Sequence, residues 1–294
     1  MVAEHGAVGG TGAGAVGAAF VIGHPIGHSR SPLIHGHWLK RHGIVGSYEA
    51  LDVAPSDLGA WLGDLDPGLT PGGNVTVPHK EAVRAWLGDE RCDRAARAIG
   101  AVNTLWFEEG ALRGGNTDAA GFAASLDAGA PEWREAERAL VIGAGGAARA
   151  VVHALKEAGI GRIEVANRTP ARAVALAREF GLADALPLDG TSEALRSADL
   201  VANTATLGMA GAGDDGRAPP LHADPAALNP AAITTDIVYV PLETPFLAAA
   251  REAGCRTVDG LGMLLHQAVP GFERWFGVRP EVTGELRAAI EATL

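Results

Sequence analysis

Ala139-Leu-Val-Ile142-Gly143-Ala144-Gly145-Gly146-Ala147-Ala148 is the stretch whose reading decides the fold. Four apolar residues read as a short buried strand, and the glycines that follow at once read as a tight turn. A helical pattern with Val151, Val152 and Leu155 on one face comes next, and then a second apolar run, Ile163 to Ala166. The whole is a β–turn–α–β unit of about 30 residues, and Gly143-x-Gly145-x-x-Ala148 fits the dinucleotide fingerprint. Its first glycine makes the turn, its second lets a pyrophosphate approach the backbone, and its third small residue lets helix pack on strand. The helix N-terminus then offers N–H donors to the phosphates. A second six-letter match, Gly12 to Gly17, has no strand before it and carries no such meaning.

The end of the second strand decides between cofactors. An acidic residue there would hold a ribose 2′-hydroxyl. This chain instead has Asn167-Arg168-Thr169, with Arg172 one turn further on. Two guanidiniums can grip a 2′-phosphate that a carboxylate would repel, so the expected cofactor is NADP(H).

Composition sets outer limits. A chain of 294 residues suggests two domains of ordinary size. The net charge of −11 argues against a nucleic-acid or anionic-membrane partner, so any anion site must be local. Cys92 and Cys255 stand far apart and suggest no disulfide framework. No apolar run approaches the ~20 residues of a membrane span. Residues 1–17 lack the basic start of a signal peptide and read as a flexible Gly/Ala tail, which leads to the expectation of a cytoplasmic protein.

The other motifs punctuate a regular α/β alternation. Phe20-Val-Ile-Gly23 reads as a strand, and Ser31-Pro32 as a helix start with serine at the cap. Ser29 and Ser31 then face the same way beside that terminus and could bind a carboxylate. His24, His28, His35 and His37 form no recognised ligand spacing, and no metal is expected. In Gly72-Gly-Asn74-Val75-Thr76-Val77-Pro78-His79-Lys80, alternation predicts Val75 and Val77 on the core face and Asn74 and Thr76 on the other. Pro78 opens a helix with Lys80 in its first turn, where a cation opposes the helix dipole. A broken local rule points to function. Asn103-Thr104 and Asn116-Thr117-Asp118 are two further polar turns, the second just before a helix. Asp199 to Met209 and Thr235 to Pro241 read as strands with exit turns, and Cys255 to Gly260 as the last strand. Residues 210–220 read as a loop. The pattern predicts an α/β fold of two domains. A substrate-binding domain spans 18–118, an inserted Rossmann-type domain with a parallel sheet spans 119–259, and helices over 260–294 return to the first domain. The polar turns are expected at strand carboxyl ends, where open α/β sheets bind ligands.

Taken together, His28-Ser-Arg-Ser-Pro32, Asn74-Val-Thr-Val-Pro-His-Lys80, Ala101-Val-Asn-Thr-Leu105, Asn116-Thr-Asp118, Gly143 to Ala148, Asn167-Arg-Thr169 and Asp259-Gly-Leu-Gly-Met263 with Gln267 resemble the shikimate dehydrogenase family (the shikimate/quinate dehydrogenases). The resemblance runs in order from Phe20 to Gly277. It implies reversible NADPH-dependent reduction of 3-dehydroshikimate to shikimate, in aromatic amino-acid and chorismate biosynthesis. It implies Lys80 and Asp118 as the catalytic pair, and Ser29, Ser31, Asn74, Thr76, Asn103, Tyr239 and Gln267 as substrate contacts. For the cofactor it implies Gly143, Ala144, Gly145, Gly146, Ala147 and Ala148 at the pyrophosphate. Asn167, Arg168, Thr169 and Arg172 would take the 2′-phosphate, with Met209 and Gly260 along the nicotinamide. The implied partner is a small molecule, and the expected assembly is a monomer or homodimer.

One departure concerns the turn after the fourth strand of the cofactor domain. The family reads Asn-Ala-Thr-Ser there, and this chain has Asn203-Thr204-Ala205-Thr206, which removes hydrogen bonds from the third position. The nearest rival readings are a quinate/shikimate enzyme and an enzyme acting on an amino analogue of shikimate. From another class comes a non-catalytic NADP-binding sensor, for which keeping both Lys80 and Asp118 would have no reason.

Overall fold

In the computed structural model, residues 17–182, 184–205 and 225–294 are described. The tail expected over 1–17 lies outside them up to residue 16, and so do Met209 and the loop over 210–220. The order of elements is β1 Ala19–Gly23, α1 Ser31–His42, β2 Tyr48–Asp52, α2 Leu58–Gly63, β3 Gly72–Val75, α3 Lys80–Leu87 and α4 Arg94–Ile99. The hairpin β4 Thr104–Glu108 and β5 Ala111–Gly115 follows, then the crossing helix α5 Asp118–Gly129. Next come β6 Arg138–Ile142, α6 Gly146–Glu157, β7 Arg162–Asn167, α7 Pro170–Phe180, β8 Asp184–Pro187, α8 Ser192–Ser197 and β9 Leu200–Asn203. The chain ends with β10 Ile233–Asp236, α9 Pro245–Glu252, β11 Arg256–Val258, α10 Leu261–Phe276 and α11 Gly284–Glu291.

Two sheets carry these elements. The first has the order β2-β1-β3-β4-β5. Its first three strands are parallel, and the β4–β5 hairpin adds two antiparallel strands. The second has the order β11-β10-β9-β6-β7-β8 and is parallel throughout. Counted from β6, that is the doubly wound dinucleotide order 3-2-1-4-5-6, with its switch point between β6 and β9. Strands buried on both faces need apolar residues throughout, and β1 and, after its exposed first residue Arg138, β6 supply them. Ala19 and Val21 join the core beneath α1, α10 and α11, while Phe20 and Ile22 join the one beneath α2, α3 and α4. In β6, Ala139 and Val141 face α5, α6 and α7, and Leu140 and Ile142 face α8 and α9.

The structure corrects several local expectations. Ser31 does not cap α1; it is the first helical residue, the cap position belongs to Arg30, and the Ser31 N–H instead reaches Ser29 Oγ at 3.3 Å. Val77 is not a core residue but 71% exposed, because β3 ends at Val75 and the chain turns before alternation can continue. Asn103-Thr104 lies at the start of a strand, not at its carboxyl end. Since β4 runs antiparallel to β3, that start sits beside the carboxyl end of β3, and the turn reaches the same sheet edge. The helix expected from Pro78 begins at Lys80.

His35, on α1, is fully buried and stacked on Tyr48 with 4.0 Å between ring centroids. Trp38, Phe272 and Trp275 complete its aromatic surroundings. Burial lowers its pKa from 6.5 to about 3, so the folded imidazole is neutral where the unfolded one is protonated. Between those two values the unfolded state binds more protons, so stability falls as pH drops below 6.5 and is unaffected above it. From pH 6.5 to pH 5 the residue should remove about 1.6 kcal/mol of unfolding free energy. Urea unfolding of the wild type and of His35→Phe at both pH values checks this, since the variant should lose correspondingly less. An equal fall in both proteins would show that another group titrates.

The two halves meet where α5 lies antiparallel on α10. A Cβ on Gly121 would stand 2.6 Å from the Gln267 Cβ, and one on Gly262 would stand 2.2 Å from Ser125 Oγ. Each helix thus places a glycine opposite a side chain of the other, and the backbones approach closely. Gly121→Val should therefore destabilise the protein by roughly 1–3 kcal/mol through overpacking, read as a lower denaturation midpoint. An unchanged midpoint would mean that α10 can slide off α5 at no cost.

Candidate active site

At the edge where both sheets end, a pocket opens between the two halves. It is lined by Val21, His28, Ser29, Arg30, Ser31, Asn74, Val75, Thr76, Lys80, Asn103, Asp118, Ile237, Tyr239, Gly260, Met263, Leu264 and Gln267. Every catalytic and substrate residue expected from the sequence is in that lining. Its volume is about 200 Å³, below the ~300–1,000 Å³ of sites for drug-sized ligands. A small polar molecule fits that space. Within a chain of net charge −11 the lining carries Lys80 and Arg30 against the single carboxylate of Asp118, which favours an anionic ligand.

Lys80 owes its position to buried neighbours. The preceding His79 is 1% exposed, and its Nε2 hydrogen-bonds the Val53 carbonyl at 2.7 Å, which ties the start of α3 to the exit of β2. The Lys80 carbonyl accepts from the Val102 N–H at 2.9 Å. The ammonium, at the unfavourable end of the helix dipole, donates to Asp118 Oδ2 at 2.7 Å. Asp118 is itself the first residue of α5, where a carboxylate suits the dipole. Its N–H reaches Asn116 Oδ1 at 2.9 Å, and Asn116 Nδ2 donates to the Ala101 carbonyl at 3.0 Å. Asn103 Nδ2 donates to the second oxygen, Asp118 Oδ1, at 2.7 Å. The carboxylate is therefore held at both oxygens.

Across the pocket, Tyr239 is presented by the turn after β10. Asp236 builds that turn, its Oδ1 accepting from the Val238 N–H at 3.0 Å and its Oδ2 from Thr244 Oγ1 at 2.7 Å. Burial pushes the Asp236 carboxyl above its ordinary range. Burial also raises the Tyr239 phenol, opposed by the charge of Arg30, so the hydroxyl stays protonated and can donate. Gly260 leans on the same turn; a Cβ there would meet the Ile237 carbonyl oxygen at 2.4 Å. Gln267 follows on α10, its Nε2 donating to the Leu264 carbonyl at 3.0 Å. His28, Arg30, Ile237, Met263 and Leu264 line the pocket without having been given a substrate or catalytic role in the sequence. For Met263 a signal existed, since it precedes Gln267 by four positions and so shares its helix face.

The dinucleotide signature can be tested on the backbone. Gly143 has φ of +114°, and a Cβ on it would meet Thr204 Oγ1 at 2.4 Å, so only glycine fits at the switch point. A Cβ on Gly145 or Gly146 would meet nothing within 4 Å, so the space before α6 is open. No side chain caps α6, which leaves the N–H groups of Gly146, Ala147 and Ala148 for a ligand. Ala148 is fully buried and lets the helix lie on the sheet, and Ala144 is partly buried against the same core. Beyond β7, Asn167 Nδ2 shapes the turn by donating to the Thr169 carbonyl at 3.0 Å. Arg168, Thr169 and Arg172 are exposed there, and neither guanidinium has an ion-pair partner among the described residues. The chain's residues thus fit a dinucleotide with an additional phosphate. In the atypical turn after β9, Thr204 Oγ1 donates to the Ile142 carbonyl at 2.8 Å and the Ala205 N–H to Asn203 Oδ1 at 3.1 Å. Thr206, the fourth position of that turn, lies outside the described residues.

A doubly wound sheet with an open glycine turn, facing a Lys–Asp pair in a polar pocket on a second α/β unit, defines a two-domain dinucleotide-dependent oxidoreductase. Comparison with known proteins narrows the class. Residues 21–105 match the shikimate dehydrogenase substrate binding domain, 130–208 the shikimate/quinate 5-dehydrogenase model and 260–291 the shikimate 5′-dehydrogenase C-terminal domain. The chain is 60% identical to a shikimate dehydrogenase (NADP⁺) of Mesorhizobium japonicum, over 94% of this chain and 96% of that one. The shikimate 5-dehydrogenase of Thermus thermophilus, solved with NADP(H) and shikimate, superposes with a TM-score of 0.82 at 40% identity, covering 94% and 99% of the two chains. The quinate dehydrogenase of Corynebacterium glutamicum, solved with NAD, gives 0.84 at 30% identity, covering 95% and 99%. The chain belongs to the shikimate dehydrogenase family.

Proposed function

We propose that this protein is an NADP-dependent shikimate dehydrogenase, which reversibly reduces 3-dehydroshikimate to shikimate. One observation carries the reading: the Lys80–Asp118 pair, at 2.7 Å, shares a pocket with both serines of the carboxylate motif. We assign residues 18–118 and 260–294 to the substrate unit and 119–259 to the cofactor unit.

NADP(H), when bound, supplies or accepts the hydride. Gly143 to Ala148 would hold its pyrophosphate, Asn167, Arg168, Thr169 and Arg172 its 2′-phosphate, and Gly260 would stand beside its nicotinamide. Ser29 and Ser31 bind the substrate carboxylate. Asn74, Thr76, Asn103, Tyr239 and Gln267 orient the ring. As negative charge develops on the carbonyl oxygen, Lys80 Nζ donates a proton to it, and in the reverse direction Lys80 receives it. Asp118 holds the ammonium in place and accepts a hydrogen bond from a substrate hydroxyl. The pocket walls fix the ring so that these groups act on one carbon. The assembly in this reading is a monomer or a homodimer. Cys92 and Cys255 are free and buried, in keeping with a cytoplasmic setting.

Absorbance of the reduced nicotinamide tests the reading, with shikimate or quinate and with NADP⁺ or NAD⁺. Turnover with shikimate and NADP⁺, well above the other three combinations, is the expected result. Comparable rates with quinate or NAD⁺ would place the protein among enzymes of broader specificity. No turnover from folded protein that binds NADP⁺ would leave a binding module.

A further inference from the structure

Behind the pocket, a chain of buried side chains joins the first strands to the proposed catalytic pair. The Tyr48 hydroxyl donates to Asn74 Oδ1 at 2.6 Å, and Asn74 Nδ2 donates to Thr104 Oγ1 at 3.3 Å. Thr104 Oγ1 donates to Asn103 Oδ1 at 2.8 Å, and Asn103 Nδ2 donates to Asp118 Oδ1 at 2.7 Å. Each donor points the same way, toward the carboxylate that Lys80 grips from its other oxygen. We propose that Thr104 is a positioning residue for the reaction, the central link of a one-way hydrogen-bond chain that orients Asp118 and, through it, Lys80.

The direction of the chain is imposed by the backbone. Asn74 Nδ2 also donates to the Asn103 carbonyl at 3.0 Å, and a carbonyl can only accept. That fixes the amide of Asn74 with its oxygen toward Tyr48. At the other end Asn103 Oδ1 accepts from the Thr117 N–H at 2.9 Å, and an N–H can only donate. That fixes the amide of Asn103 with its nitrogen toward Asp118. Thr104 lies between two amides of settled polarity and has one proton. It accepts from Asn74, and its proton goes to Asn103 Oδ1 at 2.8 Å, the shorter contact, rather than to the Thr117 hydroxyl at 3.3 Å. Burial pushes the Tyr48 phenol well above its ordinary value, so the first donor keeps its proton. Ser31, in the proposed carboxylate site, opposes that shift and lowers the same phenol.

Thr104 is 1% exposed and absent from the pocket lining, so it cannot touch a substrate there. Its influence has to pass through its neighbours. Hydrogen bonds in a low-dielectric chain polarise one another, and here the polarisation accumulates on Asp118 Oδ1. Valine is near in shape to threonine and breaks the chain at its middle.

The inference rests on the role proposed for Asp118, and the experiment separates the two. Thr104→Val should lower kcat about tenfold, as the loss of one well-placed hydrogen bond does. KM for shikimate and for NADP⁺ should stay within about twofold, and Thr104→Ser should restore the rate. In an Asp118→Ala background, adding Thr104→Val should change nothing more, because the chain has lost its end. Tyr48→Phe breaks the chain at its far end and should show the same dependence on Asp118 with a smaller loss, so the test survives if Thr104→Val fails to fold. An unchanged kcat in both variants, with Asp118→Ala inactive, would overturn the positioning role and leave the catalytic pair intact. An equal loss with and without Asp118 would also overturn it, as the mark of a structural role. Full activity in Asp118→Ala would instead remove Asp118 from the mechanism.

Discussion

Lys80→Ala should lower kcat by about three orders of magnitude while KM for shikimate changes less than about threefold, the size expected for loss of a general acid. The split follows from geometry. Lys80 is one of many groups lining the pocket, and the carboxylate and ring of a substrate would meet Ser29, Ser31, Asn74, Thr76, Tyr239 and Gln267 as before. Only the proton donor is lost, and an interaction made chiefly in the transition state shows in kcat. Stability should hardly move. Lys80 sits at the positive end of the α3 dipole and gains nothing there, whereas Asp118 keeps a favourable place at the start of α5 and its bond from Asn103. Steady-state kinetics beside a thermal melt give both numbers. A kcat within a few-fold of wild type would assign the proton to water or another group and undo the mechanism.

What made Lys80 visible in the sequence was a local rule broken in a fixed setting, with a cation in a first helical turn and a glycine-bounded strand just before it. The nucleotide half was legible for a similar reason. The constraints on Gly143, Gly145 and Ala148 act within one β–turn–α unit, and the sequence records them as spacing. Helix α7 runs from Pro170 to Phe180 because Pro170 starts it and Gly181 ends it in the left-handed conformation. Errors arose where the outcome depends on partners distant in the chain. Val77 has the alternation of a core residue, yet β3 stops at Val75 where its partner β4 begins at Thr104. The antiparallel hairpin itself, which brings Asn103 to the catalytic edge, depends on long-range pairing. Thr104 looked like the second half of a polar turn. Its place between two asparagine amides exists only after β3 and β4 pair. Local spacing thus drew attention to residues that line the pocket, and tertiary pairing decided how they are held.

Arg168→Ala and Arg172→Ala should each raise KM for NADP⁺ by roughly 10- to 100-fold and leave NAD⁺ almost untouched. A hydrogen bond to a charged group is worth about 1.5–3 kcal/mol, and each 1.4 kcal/mol is tenfold in affinity. Both guanidiniums are exposed at the end of β7, with no acidic partner among the described residues to compete for them. The double variant should lose less than the product of the two effects, since two arginines one turn apart on a single phosphate act together. Because the site is open to solvent, raising the salt concentration should weaken NADP⁺ binding in the wild type much more than in the double variant. That contrast separates charge recognition from shape. If KM rises equally for NADP⁺ and NAD⁺, the arginines serve the adenosine and not its phosphate. If neither moves, the 2′-phosphate is held elsewhere and Asn167-Arg168-Thr169 is an ordinary helix entry.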